Sequence, residues 1–244
     1  MTNAESEFNR ELEVFGLEVD EAIQYFYCWL TVNSVARGDS RIYRLFNQHA
    51  TFWNAATDAL QTSSLIVLGR IFDLDSDTHN VSRLLKIAQD NRGIFSKDAL
   101  AERKRRGSAN ADEWLDDYLR NVYVPKDDDF RRLRRYLAAR RKIYEDSYQK
   151  LRGKVVAHRV RIDKFDGNAL VGKGGIKELQ ELLVFLQRLH EALWMLFFNG
   201  TKPNLRPARR SVRSMRARPR PGSSKMQEDI TSATDQFLKS LVAG

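Results

Sequence analysis

The sequence is poor in the residues that clamp a fold from outside. Cys28 is the lone cysteine, which excludes an internal disulfide and a cysteine-based zinc site. A single thiol also fits a reducing compartment. No apolar run is long enough to cross a bilayer. The most apolar stretch, Leu182 to Phe198, is interrupted by Gln187, Arg188, His190 and Glu191, and it is shorter than the ~20 apolar residues a span needs. The first residues, Met1 to Val14, carry acids where a secretory leader has bases and then an apolar segment. The expected setting is a soluble protein of the cytoplasm with no membrane association. Proline is scarce until the end, where four of the five prolines lie beyond residue 200. Acid is missing there too: residues 201–224 hold eight Lys and Arg and no Asp or Glu.

That absence locates the charge. Of the formal net charge of +9 on 244 residues, +8 lies in 201–224 and −1 in 225–244, which leaves +2 on the first 200 residues. The basic signal that would suggest a nucleic-acid-binding domain therefore belongs mainly to the tail. The tail reads as disordered, closed by a weak amphipathic helix on Ile230, Phe237, Leu238 and Leu241. With 42% hydrophobic residues the chain can bury a core, so disorder of the whole is excluded.

Helical periodicity dominates the body. Phe8, Leu12, Phe15, Val19, Ile23 and Phe26 recur at three- and four-residue steps, one apolar helix face, ending near Arg37-Gly38. A second long helix is predicted from an Asp39 or Ser40 N-cap through Phe46, Trp53, Leu60 and Ile71. A shorter one buries Val81, Leu84, Leu85 and Ala88. Residues 91–126 read as an insertion, with Arg103–Gly107 as an exposed turn and Asn110 and Glu113 as a capping box. Pro125 and Asp127–Asp129 mark another helix start, carrying Phe130, Leu133, Leu137, Ile143 or Tyr144, Tyr148, Leu151 and Val155. Residues 159–173 read as a small hairpin or loop. The last core helix runs from about Ile176 to Phe198 and stops at Asn199-Gly200. The result is an all-α bundle of about four main helices, forming one domain over residues 1–200, with the basic tail at 201–244.

Two motifs fail on inspection. Asp73-Leu-Asp75-Ser-Asp77 opens like a calcium loop, but Thr78 and Leu84 stand where Gly and Glu are required, so an acidic turn is expected. Gly167 to Lys173 approaches a phosphate loop, but Gly174 replaces the hydroxyl residue and no buried strand leads in, so a glycine-rich turn is expected over nucleotide binding. No metal and no cofactor is called for.

Among His49, His79, His158 and His190, the first and last sit in helical, apolar settings. His158 differs, because it lies six residues after Arg152 in a basic segment without acids. Metal-free RNA cleavage needs an imidazole to take the 2′-hydroxyl proton and a guanidinium fork against the phosphate. The alternative is a helix end decorated with basic residues. Six residues turn an ideal helix by about 240° and about 9 Å. A phosphate shared by Arg152 and His158 thus calls for a break at Gly153 or a symmetric dimer.

At these residues the chain resembles the HEPN superfamily, in particular its AbiU-type branch of abortive-infection proteins. Leu151-Arg152-Gly153-Lys154-Val-Val-Ala157-His158-Arg159 follows the family's Arg-x(4–6)-His pattern. Ala59 to Asp73, with Ser63, Leu65, Arg70, Ile71 and Phe72, is similar to the branch's second segment. The resemblance implies a HEPN-like bundle that dimerises through the motif helix and acts as a metal-independent endoribonuclease of a toxin–antitoxin or phage-defence system. By position, Arg152 would bind the scissile phosphate and His158 would act as general base or acid. Lys154, Arg159 and Arg161 could supply RNA-binding backbone contacts. Tyr144 and Tyr148 precede Arg152 by eight and four residues and share its face on a continuous helix, either lining the cleft or packing in a core or dimer interface. Two positions depart from the pattern. Gly153 stands where relatives carry a polar residue, and Val160 stands where some carry a tyrosine that a partner nucleotidyltransferase antitoxin modifies. Some family members only bind RNA or protein, so a non-catalytic module is the second reading.

Overall fold

A computed structural model describes residues 2–75, 77–149, 175–205 and 225–243. The described residues are helical without a strand. The order is α1 (Asn3–Gly38), α2 (Ser40–Gln48), α3 (Ala50–Ile71), α4 (Val81–Asp90), a 3₁₀ turn (Arg92–Phe95), α5 (Lys97–Gly107), a 3₁₀ turn (Ala111–Glu113), α6 (Leu115–Arg120), α7 (Asp127–Tyr144), a π-helical turn (Glu145–Gln149), α8 (Ile176–Asn199) and α9 (Lys225–Ser240). The protein is all-α, as its periodicity predicts.

The chain forms two compact units, one of Met1–Val19, Arg70–Asp146 and Glu178–Pro207, the other of Asp20–Gly69, Ser147–Lys177 and Ala208–Gly244. The first has an aromatic centre. Phe8 lies edge-on to Phe95 at 5.2 Å and 5.0 Å from Phe197, and Phe95 reaches Phe130 at 5.7 Å. Such ring pairs add to the gain from burying their area. Residues 91–126 contribute to this core through Ile94, Phe95, Leu100, Ala101, Ala111 and Leu115, all buried. Helix α1 approaches α8 closely at Gly16, where an added Cβ would stand 2.6 Å from the His190 ring.

The end of α8 follows the sequence closely. Gly200 has a φ of +59°, the left-handed conformation that ends helices. Its N–H donates to the Leu196 carbonyl at 3.0 Å, and its own carbonyl accepts from the Tyr123 N–H at 2.8 Å. A Cβ there would meet Val122 Cγ1 at 2.6 Å, so the glycine is needed for space as well as for torsion.

In the second unit, α9 is docked. Leu238 is fully buried in a cluster with Val32 of α1 and Ile42 of α2, against Phe46 and Trp53. Cys28 Sγ and Thr234 Oγ1 lie 3.6 Å apart.

Local expectations are corrected at four places. The second long helix is two helices. His49 breaks it with φ −121° and ψ 41°, is exposed, and is therefore no core histidine. Phe46 and Trp53, about 10.5 Å apart along a straight helix, stack across this break with centroids 4.0 Å apart. Asn110 caps nothing with its side chain, which instead accepts from Ser108 Oγ at 2.8 Å. The long α7 helix changes at Tyr144 into a wider π-helical turn. Leu151, Val155 and the hairpin expected at 159–173 lie outside the described residues.

The fourth correction concerns Arg103. Rather than an exposed turn, residues 103–107 are the last turn of α5, and the Arg103 side chain is 7% exposed. Its guanidinium donates to Glu5, to the Ile94 carbonyl and to the Phe197 carbonyl, the last two at 2.8 Å, and lies 4.1 Å over the Phe197 ring. Burial opposes ionisation of Glu5, but the Thr2 N–H and Arg103 outweigh it and hold the carboxyl below its usual value. Arg103→Ala leaves the buried Glu5 carboxylate with only the Thr2 N–H and the more distant Arg106, and is expected to cost about 3–5 kcal/mol in urea unfolding. The ionised Glu5 stabilises the fold above its ordinary value of 4.5, and this is lost as pH falls through the depressed native value. In thermal melts between pH 4.5 and that lower value the wild type should therefore lose Tm more steeply than Glu5→Gln.

Candidate functional site

The segment that carries Arg152, Lys154, His158, Arg159 and Arg161 lies outside the described residues. Its flanks are described, and they show how the chain is held before and after it.

The entering element is α7, fixed at its start by charge. Asp129 Oδ2 accepts from the Lys126 N–H at 2.9 Å, satisfying a donor that the first turn leaves open. The Tyr123 hydroxyl donates to the same oxygen at 2.5 Å and Arg132 to the other at 2.7 Å. Burial opposes the Asp129 charge, yet the Tyr123 hydroxyl, the Lys126 N–H and Arg132 together keep its carboxyl below the usual range. Burial and the neighbouring carboxylate push the Tyr123 hydroxyl up to about 12. Phe130, Leu133, Leu137 and Tyr144 form the buried stripe of α7. Near its end Arg141 donates to Ser82 Oγ of α4, and Arg140 lies 5.8 Å over the Phe185 ring of α8.

Tyr144 is 3% exposed and stacks on Phe72, with centroids 5.2 Å apart and planes at 19°. This contact holds the end of the Ala59–Asp73 segment against the end of α7. Phe72 closes the Ala59–Asp73 segment, and Tyr144 begins the run into Arg152. Their neighbours are also committed. Arg70 Nε donates to both Glu18 oxygens at 2.8 and 3.0 Å. Asp73 Oδ1 accepts from the Leu74 N–H at 2.7 Å and the Asp75 N–H at 3.3 Å, and Asp75 Oδ1 accepts from Asp77. The acidic turn thus uses carboxylates of Asp73 and Asp75 on its own backbone. His79 Nδ1 lies 3.0 Å from the buried Glu11, which also accepts from Arg83 at 3.1 Å. Among the described residues no group of three or more His, Cys, Asp or Glu is placed to hold a metal ion.

After Tyr144 the chain runs into the π-helical turn Glu145–Gln149, a wider repeat than that of α7. Tyr148 is 1% exposed, and its hydroxyl donates to the Gly175 carbonyl at 3.3 Å. The last described residues before the motif and the first one after it are therefore bonded to one another. Both tyrosines are buried packing residues at the entry to the motif. The sequence reading missed the π turn, for which no residue pattern is diagnostic. It also missed the arginines of α7, which were legible as a run but hidden by the neutral total.

Truncating the stacked ring tests the joint between Phe72 and the end of α7. Phe72→Ala should cost about 3–5 kcal/mol in denaturant unfolding, whereas Tyr148→Phe should cost about 1 kcal/mol by loss of its bond to Gly175.

The sequence pattern of the AbiU2 family of HEPN proteins matches residues 5–215, which contain both segments and stop short of α9. No curated protein and no solved structure matches the chain. Among the described residues no helix is long and apolar enough to cross a membrane. With a helical fold, both segments in order and a match over most of its length, the chain belongs to the AbiU2 family of HEPN proteins.

Proposed function

We propose that the protein is a metal-independent endoribonuclease of an abortive-infection or toxin–antitoxin system. The observation that carries this reading is the family match over 5–215 together with Arg152 and His158 at the family spacing inside it. In this reading the His158 imidazole takes the 2′-hydroxyl proton. The resulting alkoxide attacks the adjacent phosphorus and the 5′-oxygen leaves, accepting a proton from a second imidazole or from water. Arg152 compensates charge on the equatorial oxygens. Lys154, Arg159 and Arg161 hold neighbouring phosphates. Two copies bring two motifs to one phosphate, since a two-fold interface presents the same patch twice.

A second reading is a non-catalytic RNA-binding or protein-interaction module. The observation favouring it is Gly153, which has no side chain where relatives place a polar one.

The two separate in one assay. Purified full-length protein should cleave single-stranded RNA in excess EDTA and leave 2′,3′-cyclic phosphate or 3′-phosphate ends. Arg152→Ala and His158→Ala should each lower the rate by about 10²-fold or more. Equal cleavage by His158→Ala would remove the catalytic assignment, and salt-sensitive binding without cleavage by the wild type would establish the module instead.

A further inference from the structure

Residues 131–142 hold Arg131, Arg132, Arg134, Arg135, Arg140, Arg141 and Lys142 and no acid, so the rest of the first 200 residues carries −5. This concentration lies on α7, where it sorts into two sets. Arg132 is bonded to Asp129, Arg140 lies over Phe185, and Arg141 reaches Ser82. These three serve the fold. Arg131, Arg134, Arg135 and Lys142 are exposed. Arg131 pairs with Asp128 at 3.0 Å with both side chains solvated, a contact of small value. Arg134, Arg135 and Lys142 form no ion pair or side-chain hydrogen bond among the described residues.

At 100° per residue, positions 131, 134, 135, 138 and 142 fall on one face, opposite the buried Leu133, Leu137 and Tyr144. Arg131 therefore sits one turn from Arg134 and Arg135, and like charges at these spacings destabilise a helix. Lys142 gains from the dipole at the helix end, but the middle arginines have no such return. The fold does not explain them.

We propose that this face of α7 binds the phosphate backbone of single-stranded RNA; the proposal rests on the RNA-directed reading above and names a second contact surface for it. The array is about 16 Å long and one helix wide, which suits a linear polyanion. Arginine predominates, and its planar fork matches phosphate oxygens. A protein partner would need an apolar centre, and between the cations the face offers only Ala138 and Ala139; none of the large exposed apolar side chains lies on α7. The helix continues in sequence toward the catalytic motif, with Lys142 ten residues before Arg152.

The test uses the full chain and a fluorescent 2′-O-methyl oligonucleotide of about 20 residues, which keeps the phosphates but lacks the nucleophile. Binding is followed by anisotropy from about 50 to 200 mM KCl. R134Q/R135Q/K142Q should bind at least tenfold more weakly at the lowest salt. The slope of log affinity against log salt should be less steep by about 2, from ~0.7 per lost phosphate contact. Unchanged far-UV circular dichroism establishes that the variant is folded. Equal affinity and slope for wild type and variant would overturn the α7 assignment while leaving the nuclease reading to its own cleavage assay. Absence of binding by the wild type would overturn it as well. Poly-L-glutamate bound as tightly as RNA, and lost equally in the variant, would reassign the face to an acidic protein and overturn the RNA proposal. Cleavage of unmodified RNA by the wild type is scored separately, so failure of catalysis and failure of this surface are distinct results.

Discussion

A buried guanidinium organises the first compact unit. Arg103 has its charge taken up by Glu5 of α1, two donors spent on the carbonyls of Ile94 and Phe197, and its plane against the Phe197 ring. Three pieces of chain, at Glu5, Ile94 and Phe197, are held to α5 by one planar group, which has enough donors in a rigid fork to do this. Burying such a charge is unfavourable unless every partner is present. Burial accordingly pushes the Arg103 guanidinium down, with Glu5 pulling the other way. The consequence is geometric selectivity: α5, the turn before it and the end of α8 must arrive together. The Asp129 cluster repeats the logic at smaller scale, a buried carboxylate holding the start of α7 through Tyr123, Lys126 and Arg132.

What could be read from the sequence divides along this line. Apolar spacing made α1, α4, α7 and α8 legible, because Phe8, Leu12, Phe15 and their counterparts are buried by the same 3.6-residue repeat that reveals them. The stop at Gly200 was legible because only glycine suits both its torsion and its space. The break at His49 was not: the apolar spacing of α2 and α3 continues through it, and only the stacking of Phe46 on Trp53 distinguishes a bent chain from a straight one. Arg103 was misplaced because a run of four basic residues looks solvated. Its burial depends on Glu5, 98 positions away in sequence. Long-range electrostatic pairing leaves no local signature.

The site was legible in a different sense. Arg152 and His158 were found by chemistry and by resemblance, neither of which specifies how a helix delivers them. The structure contributes the support. Phe72 stacked on Tyr144 ties the end of the Ser-Leu…Arg-Ile-Phe-Asp segment to the end of α7, which precedes the motif in sequence. Spacing alone placed Tyr144 and Tyr148 on the face of Arg152. Both tyrosines are buried, and the wider π-helical turn follows directly on α7, so a count in steps of 3.6 does not run unchanged through this stretch.

Net charge invites a similar error. A body of +2 suggests a surface with little to offer a polyanion, yet the same sum arises from twelve residues of α7 at +7 and a remainder at −5. Charges in water are screened within about 10 Å at ordinary ionic strength, so an approaching phosphate responds to the nearest helix and scarcely to the total. Where the negative residues sit also matters. Glu5, Glu11, Glu18 and Asp129 are turned toward Arg103, His79, Arg83, Arg70 and Arg132, and these four acids are paired within the fold. On the outer face of α7 only Arg131 has an acidic partner, the solvated Asp128, among the described residues. The near-neutral body and its polycationic helix are therefore compatible: several acids are paired within the fold, and Arg134, Arg135 and Lys142 of α7 face water.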